Sequence, residues 1–488
     1  MPLQVVPSTE ETTKVTCDAL VIGAYKTDDG FELSPAAGVV DGTLDGYLTE
    51  HLEDVSFKAA PGEVATLPTS RRIGAKVVVV VGLGNAPDIE PATLRKAAGA
   101  AARRLSEREV VAVALHHDED RDGATAVAEG FVLATYRYTD LKSDPHPVKL
   151  QRVLVLGAEE GAVERGQIRA EATLLARDLI NEPAATLTPD ALARRAQEVA
   201  DVAGLECTIT EPDGLESRGM NGVLAVAQGS DVPARFIELR YRPENATGRV
   251  ALVGKGVTFD SGGLSLKDGK NMETMKTDMS GAAAVIGVMS AVNRLGVRVA
   301  IDAYIPAVEN MPSGKALKPG DVITHYGGKT AEVLNTDAEG RLILADALAV
   351  AAETEPDAIV DVATLTGSIV VALGNDMTGV FCNDDALATE IRDASEQAGE
   401  LTWRMPLHED YRKQIDSEVA DFKNVGTRYG GSIVAALFLK EFVPDTVPWA
   451  HLDIAGPARA DAASNEGPKG GTGVGTRTLL SWLESRGS

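Results

Sequence analysis

The sequence predicts an α/β protein of two domains, an N-terminal mixed-sheet α/β domain and a larger C-terminal three-layer α/β/α domain. Its 488 residues exceed the length of an ordinary single domain. An apolar fraction of 44% with only 4% aromatic residues is typical of an Ala- and Val-rich globular protein. Short β-branched runs alternate with Ala-rich stretches along the chain, which is the pattern of βα units.

The first 165 residues contain four strand patterns and one long helix pattern. The strand patterns are CDALVIGAY (17–25), KVVVVVGLG (76–84), VVAVAL (110–115) and RVLVLG (152–157), and the helix pattern is PATLRKAAGAAARRLSE (91–107). Such runs are typical of buried strands in a parallel or mixed sheet. Two helical patterns around the breaker NEP follow, so we place the domain boundary after residue 165. Residues 1–165 then form the N-terminal domain and residues 166–488 the C-terminal domain, with a connecting helix near 166–180.

The C-terminal domain repeats the alternation of strands and helices. Its strand patterns are RVALVGKGV (249–257), VRVAIDAYIPAVE (297–309) and DAIVDVATL (357–365), and its helix patterns are SGAAAVIGVMSAVNRLG (280–296) and RLILADALAVAAE (341–353). The segment DVITHYGGKTAEVLN (321–335) predicts a hairpin that turns at Gly327 and Gly328. The apolar helices and strands predict a sheet buried between two helix layers. Sheets of this kind bind ligands outside the carboxyl ends of their strands.

Ionisable residues concentrate in the loops that follow these strands. The loops carry four carboxylates and three basic side chains, namely Asp260, Asp278, Asp337, Glu339, Lys255, Lys267 and Arg341. Side chains at positions i and i+2 share a face in an extended segment, so Asp337 and Glu339 converge if NTDAE (335–339) is not helical. Four carboxylates in one cleft repel one another unless cations lie between them. Two divalent metal ions would neutralise them.

The start of the helix pattern after Glu339 suits an anion. Gly340 permits a close approach of the backbone, and a helix that begins near Arg341 presents unpaired N–H groups beside the guanidinium. The sequence therefore predicts an anion site next to the carboxylates.

Simpler roles for these residues stay open on the sequence alone. Lys255 fits a structural ion pair as well as a metal ligand, which would have to be neutral. Asp278 suits a helix N-cap, Asp337 a turn and Glu339 a first helical turn. No single-residue role explains why four acids gather with three bases at strand ends. GxSxG and HExxH motifs are absent from the sequence, and His451 in WAHLDIAG fits a packed strand residue.

The net charge of −25, from 47 basic and 72 acidic residues, restricts the partners. Nucleic-acid backbones and anionic membrane surfaces attract cationic proteins, so both partners are disfavoured. Three separated cysteines without a CxxC motif, and a start without the features of a signal peptide, predict a cytoplasmic protein.

Six segments of the chain follow a known combination of motifs. They are VGKGVTFDSGG (253–263), SLK (265–267), NMPSGKALKPGD (310–321), NTDAEGRL (335–342), ATLTG (363–367) and HLDIAG (451–456). Together they resemble the leucyl aminopeptidase family of dimetal exopeptidases, over most of residues 175–480. For residues 1–165 the resemblance is one of general architecture only, that of a macro-like α/β domain.

The resemblance implies a role for each matching residue. The site would bind two divalent ions, zinc or manganese, with magnesium and cobalt also compatible. One metal would be held by Lys255, Asp260, Asp278 and Glu339, and the other by Asp260, Asp337 and Glu339. Lys267 and Arg341 would be the catalytic pair, with Arg341 holding a bicarbonate ion as general base. The pocket for the N-terminal side chain of the substrate would be lined by Met275, Thr364 and Gly367.

The implied function is removal of N-terminal amino acids, leucine and other apolar residues first, from peptides with a free N-terminus. The attacking group would be a water that bridges the metals, and the protein would be a homohexamer. A dimetal phosphoesterase is one alternative, but it predicts more anion-binding cations than Lys267 and Arg341. An architectural DNA-binding hexamer is the other, and the net charge argues against it.

Overall fold

A computed structural model describes residues 3–86, 89–116 and 120–487. The chain divides into two compact units, of which the first comprises Met1–Glu171 together with Ala462–Lys469 and the second comprises Ala172–Asp461 together with Gly470–Ser488. The domain boundary after residue 165 stays a prediction. Within the described residues, no helix combines the length and the apolar character needed to cross a membrane.

The first unit is built on a mixed seven-stranded sheet. Its strands are β1 (Gln4–Ser8), β2 (Cys17–Thr27), β3 (Gly30–Leu33), β4 (Val64–Pro68), β5 (Ala75–Asn85), β6 (Val110–Ala114) and β7 (Arg152–Leu156). Its helices are α1 (Pro35–Thr43), α2 (Tyr47–Asp54), α3 (Pro91–Arg104), α4 (Arg121–Thr135) and α5 (Glu160–Asn181), and the chain passes to the second unit within α5. The strand order is β1-β7-β6-β2-β5-β4, with β3 beside β2. Neighbours are parallel except for β3 and β4, because the short connections that precede or follow them make antiparallel pairs.

The segment Ala462–Lys469 joins the first unit from near the end of the chain. Its Glu466 accepts a hydrogen bond from Nε of the buried Arg95 at 2.7 Å. Arg95 also donates to Glu129, which pairs with Arg169 at 2.6 Å. The segment is thus tied into a buried ionic network.

The second unit is built on a nine-stranded sheet. Its strands, with those of two small sheets, are β8 (Glu206–Thr210), β9 (Arg235–Tyr241), β10 (Arg249–Gly254), β11 (Gly256–Asp260), β12 (Ala300–Asn310), β13 (Val322–Thr324), β14 (Thr330–Glu332), β15 (Ala358–Ala363), β16 (Thr378–Cys382), β17 (Thr402–Arg404), β18 (Phe422–Lys423), β19 (Trp449–Asp453), β20 (Arg459–Ala460) and β21 (Gly470–Gly471). The large sheet has the order β17-β16-β19-β15-β10-β12-β9-β8, with β11 beside β12. Strands β12, β10, β15 and β19 run parallel at its centre, and β9 and β16 pair antiparallel on either side of them.

Helices cover both faces of this sheet. They are α6 (Pro189–Ala203), α7 (Pro212–Arg218), α8 (Asn221–Ala227), α9 (Gly269–Met272), α10 (Ser280–Ala291), α11 (Gly340–Ala352), α12 (Gly367–Leu373), α13 (Asp385–Ala398), α14 (Gly431–Lys440) and α15 (Thr476–Arg486), with 3-10 helices at Met275–Met279 and Glu409–Ile415. On one face α10 packs with α6 and α15, and a Cβ at Gly281 would lie 1.9 Å from the carbonyl oxygen of Val362 in β15. On the other face α11 packs with α8 and α14. The predicted three-layer architecture is confirmed.

One predicted strand was wrong in its extent. The pattern 249–257 predicts an unbroken strand, whereas the structure ends β10 at Gly254 and begins β11 at Gly256. The break occurs because the carbonyl oxygen of Lys255 accepts a hydrogen bond from the N–H of Ala282 in α10, at 2.9 Å. The chain then leaves β15 and continues beside β12 alone. The irregularity places Lys255 at the carboxyl ends of the central strands.

Candidate metal centre

The four predicted acidic residues lie in three different segments of the second unit, each at or after the end of a strand or before a helix. Asp260 is the last residue of β11, and Asp278 lies in the 3-10 helix Met275–Met279 that leads into α10. Asp337 and Glu339 lie between β14 and α11, in residues 335–339, which are not helical. The segment is not helical, as the sequence argument requires, but it is not a regular extended segment either, because residues 336 and 337 form a turn and Glu339 has right-handed helical backbone angles.

Lys255 joins two of these connections. Its Nζ lies 2.9 Å from Oδ1 and 2.8 Å from Oδ2 of Asp278, and 2.9 Å from Oε1 of Glu339. It also donates to the carbonyl oxygen of Thr364 at 2.9 Å. The Lys255 side chain is 3% exposed, so these contacts lie out of reach of bulk water. The ion pair that the sequence left open is present, and the role of metal ligand stays a prediction.

Lys267 joins the remaining two carboxylates. Its Nζ lies 2.8 Å from Oδ2 of Asp260 and 2.5 Å from Oδ1 of Asp337. Asp260, Asp337 and Glu339 can present carboxylate oxygens that all lie within 4.8 Å of one another. The structure thus brings all four predicted acids and both lysines into one cluster.

The cluster has too little positive charge of its own. Four carboxylates and two ammonium groups sum to −2 in a largely buried place. Burial, together with the charge of Glu339, raises the pKa of Asp260, and burial raises the pKa of Asp278 well above its usual range. Burial also raises the pKa of Asp337. Each shift favours a neutral acid, because burial outweighs the opposing effect of the two lysines on these pKa values.

The two lysines respond in the opposite way. Burial alone would lower the pKa of Lys255, but the charges of Asp278, Glu339 and Asp260 outweigh burial and raise it. Burial likewise lowers the pKa of Lys267, but the charges of the carboxylates, above all that of Asp260, outweigh burial and raise it. Both ammonium groups are therefore held in the charged form by the carboxylates, and a competing divalent cation would release that constraint.

The donor set fits divalent metals. Carboxylate oxygens with one available nitrogen suit zinc, manganese, magnesium or cobalt. Among the described residues, Oε2 of Glu339 is a buried carboxylate oxygen without a hydrogen-bond partner. A buried oxygen of this kind is costly unless a cation or a donor faces it. Glu339, which also contacts Lys255 through Oε1, could therefore serve as a metal ligand through its second oxygen.

Arg341 lies in the first turn of α11, beside the carboxylates. Burial lowers the pKa of its guanidinium to about 10, and its Nε has no hydrogen-bond partner within the described part of the chain. Gly340 lets the helix start against Lys255, because a Cβ at Gly340 would lie 2.6 Å from Cε of that lysine. An unpaired guanidinium donor at a helix start is suited to an anion.

Of the three predicted pocket residues, the structure brings Thr364 into contact with the cluster. Thr364 follows β15, and its Oγ1 donates to Oδ1 of Asp278 at 2.7 Å. Met275 begins the 3-10 helix that contains Asp278. Gly367 begins α12, and a Cβ there would meet nothing within 4 Å. Thr364 therefore contacts the candidate metal ligands, whereas Gly367 borders open space.

Residues outside the predicted set support the cluster. Nδ2 of the buried Asn310 donates to Oδ1 of Asp260 at 2.8 Å and to the carbonyl oxygen of Thr336 at 2.9 Å. Asp453 accepts from the N–H of Leu365 at 3.0 Å and from Oγ1 of Thr366 at 2.7 Å. Asn310 is the last residue of β12, the strand beside β11, so a polar residue at a strand end could have indicated its role from the sequence. Asp453 ends β19 in the same way.

His451 is a packed strand residue, as predicted. It is fully buried in β19, its Nδ1 lies 2.5 Å from Oδ1 of Asp361, and its ring stacks on Phe381. Trp449 donates from Nε1 to the other oxygen of Asp361 at 2.7 Å. Burial by itself lowers the pKa of His451, but the charges of Asp361 and Asp453 and the hydrogen bond to Asp361 together outweigh burial, so the pKa lies above its ordinary value.

This pair predicts a pH-dependent stability. The pKa of His451 is higher in the folded state than in the unfolded state, where it is about 6.5. The ion pair of His451 with Asp361 therefore stabilises the fold fully below about pH 6.5, and this stabilisation is lost as the pH rises through the folded-state pKa. We expect Asp361→Asn to lower the free energy of unfolding by about 3–5 kcal/mol at low pH and by less at high pH. Denaturant titration of both proteins between pH 5 and 9, in the same metal state, measures the difference. A difference that stays constant over this range would contradict the assignment.

Comparison with known proteins decides the family. Residues 174–480 match the cytosol aminopeptidase family, catalytic domain, and residues 21–145 match the N-terminal domain of the same family. The chain belongs to the cytosol aminopeptidase family. It is therefore a metal-dependent aminopeptidase, a hydrolase of peptides. The resemblance inferred from the six motifs is confirmed.

Similar proteins of this cytosol aminopeptidase family match over nearly their full length. A probable cytosol aminopeptidase of Streptomyces avermitilis is 45% identical, over 98% of this chain and 97% of the relative. One of Rippkaea orientalis is 43% identical, over 96% and 97%. Among solved structures, the bottromycin maturation enzyme BotP in complex with Mn has a TM-score of 0.88 at 42% identity, over 97% of this chain and 100% of that one. A mutant of tomato leucine aminopeptidase has a TM-score of 0.90 at 34% identity, over 99% and 97%.

Proposed function

We propose that this aminopeptidase removes N-terminal amino acids, leucine and other apolar residues first, from peptides with a free N-terminus. The observation that carries the proposal is the cluster of four carboxylates around two lysines, with Asp337 partly exposed and the other three acids buried. Within the described residues, Oε2 of Glu339 in this cluster has no hydrogen-bond partner. The match to a tomato leucine aminopeptidase supports the apolar preference. Family membership favours peptides over the phosphate esters and DNA considered from the sequence.

The proposed ligand sets are those that the resemblance to the family implies. Lys255, Asp260, Asp278 and Glu339 would hold one ion, and Asp260, Asp337 and Glu339, with the backbone carbonyl of Asp337, would hold the other. The Mn complex of BotP supports manganese, and zinc is the second candidate. When bound, the two metals would supply Lewis acidity and lower the pKa of a bridging water toward neutrality.

The remaining roles belong to the basic residues. Lys267 would donate to the oxygen that becomes negative in the tetrahedral intermediate, since its Nζ lies between Asp260 and Asp337 at the open edge of the cluster. Arg341 would hold a bicarbonate ion through its unpaired Nε, and that bicarbonate would accept the proton of the attacking water. Lys267 would thus place positive charge where negative charge develops, and Arg341 would hold the anion that takes up the proton.

The side chain of the N-terminal residue would occupy the space bordered by Met275, Thr364 and Gly367. Met275 offers an adaptable apolar surface, and the missing side chain of Gly367 leaves room for a branched residue such as leucine. The free amine of the substrate would face the carboxylates. Burying that amine among them is favourable only if it is a ligand or an ammonium group, so a blocked amine should not bind productively.

Leucine amide and its N-acetylated form test this proposal. We expect the purified protein to release leucine from the unblocked amide, to lose activity with a chelator, and to regain it with manganese or zinc. We expect the N-acetylated amide to react at least about 100-fold more slowly, because a site built around a polar group rejects analogues without it. Free leucine, quantified by chromatography, is the measurement. Efficient cleavage of the acetylated substrate would contradict the proposed recognition of the amine.

The homohexamer and the cytoplasmic location implied by the resemblance belong to the same proposal. Light scattering of the purified protein distinguishes a hexamer from smaller species. The division of the chain into residues 1–165 and 166–488 is likewise retained as a proposal for the functional domains.

A further inference from the structure

Asn424 contacts the loop that carries Asp337 and Glu339 from a separate strand. It directly follows β18, which pairs parallel with β14 in the register Glu332 to Lys423. Its own N–H continues this pairing by donating to the carbonyl oxygen of Glu332 at 2.9 Å. The pairing therefore sets Asn424 beside the residues that leave β14, which are those that carry Asp337 and Glu339. Its side chain is completely buried.

The side-chain amide of Asn424 forms hydrogen bonds with the backbone of this loop through both its oxygen and its nitrogen. Oδ1 accepts from the N–H of Leu334 at 2.9 Å and of Asn335 at 3.3 Å. Nδ2 donates to the carbonyl oxygen of Asn335 at 2.7 Å and of Ala338 at 3.4 Å. The bonds enclose residues 334–338, which are neither strand nor helix and so lack a ladder of their own. One side chain thus supplies four of the hydrogen bonds that hold the backbone of this loop.

The same residue also holds Arg341. The backbone carbonyl oxygen of Asn424 accepts a hydrogen bond from Nη1 of Arg341 at 2.7 Å. The guanidinium is buried, and Nε has no partner among the described residues. Asn424 therefore holds both the loop that carries Asp337 and Glu339 and the guanidinium of Arg341.

We infer that Asn424 is a positioning residue that fixes Asp337 and Glu339 in the geometry needed to bind metal, through the backbone of residues 334–338. The inference rests on the proposed metal centre. This role differs from general packing because the hydrogen bonds of the Asn424 side chain go to the loop that carries the proposed ligands, on both sides of Thr336. Side chains that orient metal ligands from outside typically change metal affinity about 10–100-fold when they are removed.

Mn²⁺ binding to the full chain tests the inference. The protein is stripped with a chelator, and Mn²⁺ is titrated by calorimetry into the wild type and into Asn424→Ala. Asn383→Ala is the matched control, because Asn383 also bonds backbone atoms with both halves of its amide, accepting from the N–H of Trp449 at 2.7 Å and donating to the carbonyl oxygen of Val447 at 3.0 Å. Those partners lie at the opposite end of the parallel strands.

We expect Asn424→Ala to weaken the Mn²⁺ affinity about 10–100-fold and Asn383→Ala to leave it unchanged, even where both lower the melting temperature. Equal Mn²⁺ affinity in Asn424→Ala and the wild type would overturn the inference. If Asn424→Ala does not fold, Asn424→Ser is judged by the same criterion. A wild type that binds no Mn²⁺, zinc or other divalent ion would instead refute the proposed metal centre, so the two failures are distinguishable.

Discussion

Replacing Lys267 with methionine is expected to lower kcat about 10²–10³-fold while both metals stay bound, because the loss of one oxyanion donor has this magnitude in other hydrolases. The lysine contacts Asp260 and Asp337 only as a counter-ion. Its removal leaves those carboxylates with less positive charge, so their demand for divalent cations does not fall. Steady-state kinetics with leucine amide and metal analysis of the same samples measure the two effects.

Lys270→Met is the matched control for this change. Lys270 lies three residues further along, in α9, and is exposed. It should retain the wild-type kcat and metal content. Loss of metal from Lys267→Met would assign Lys267 to the ligand set, and an unchanged kcat would remove it from the catalytic machinery.

Glu339→Gln is expected to abolish stable binding of at least one metal and to lower activity by at least about 100-fold. Losing a residue that orients a ligand already costs 10–100-fold, and Glu339 is proposed as a direct ligand of both ions. The substitution keeps the size of the side chain, but it removes the charge that faces Lys255 at 2.9 Å. Metal content after dialysis and kcat/KM with leucine amide are the measurements.

The control for this experiment is Glu353→Gln at the other end of α11. Glu353 is exposed and accepts a hydrogen bond from the hydroxyl of Tyr326 at 2.8 Å. It tests whether the loss of a charge from this helix matters by itself. Two metals retained by Glu339→Gln after dialysis would show that Glu339 does not bridge them.

Much of the second unit was predictable because its strands are buried on both faces. An apolar run such as DAIVDVATL marks β15 (Ala358–Ala363) within two residues at either end, and polar residues then mark the strand ends. The acids were found for this reason, since Asp260 ends a strand and Asp337 follows a hairpin. Parallel strands gather their carboxyl ends at one edge, which turns a sequence pattern into a site.

Other parts of the site could not be predicted from local patterns. Asn424 follows a strand of only two residues, Phe422–Lys423, and so short a strand leaves no periodicity to detect. The break at Lys255 depends on a hydrogen bond to α10, which is a tertiary contact. Neither feature follows from the propensities of the surrounding residues, because both depend on segments more than twenty residues away in the chain.

The placement of Ala462–Lys469 in the first unit has a consequence for biosynthesis. The ribosome makes this segment near the end of the chain, long after β1 to β7 have emerged. The bond from Arg95 to Glu466 can therefore form only when nearly all of the second unit has been translated. Although domains commonly fold in the order of their synthesis, the N-terminal unit of this aminopeptidase cannot be completed until nearly the whole chain has been made.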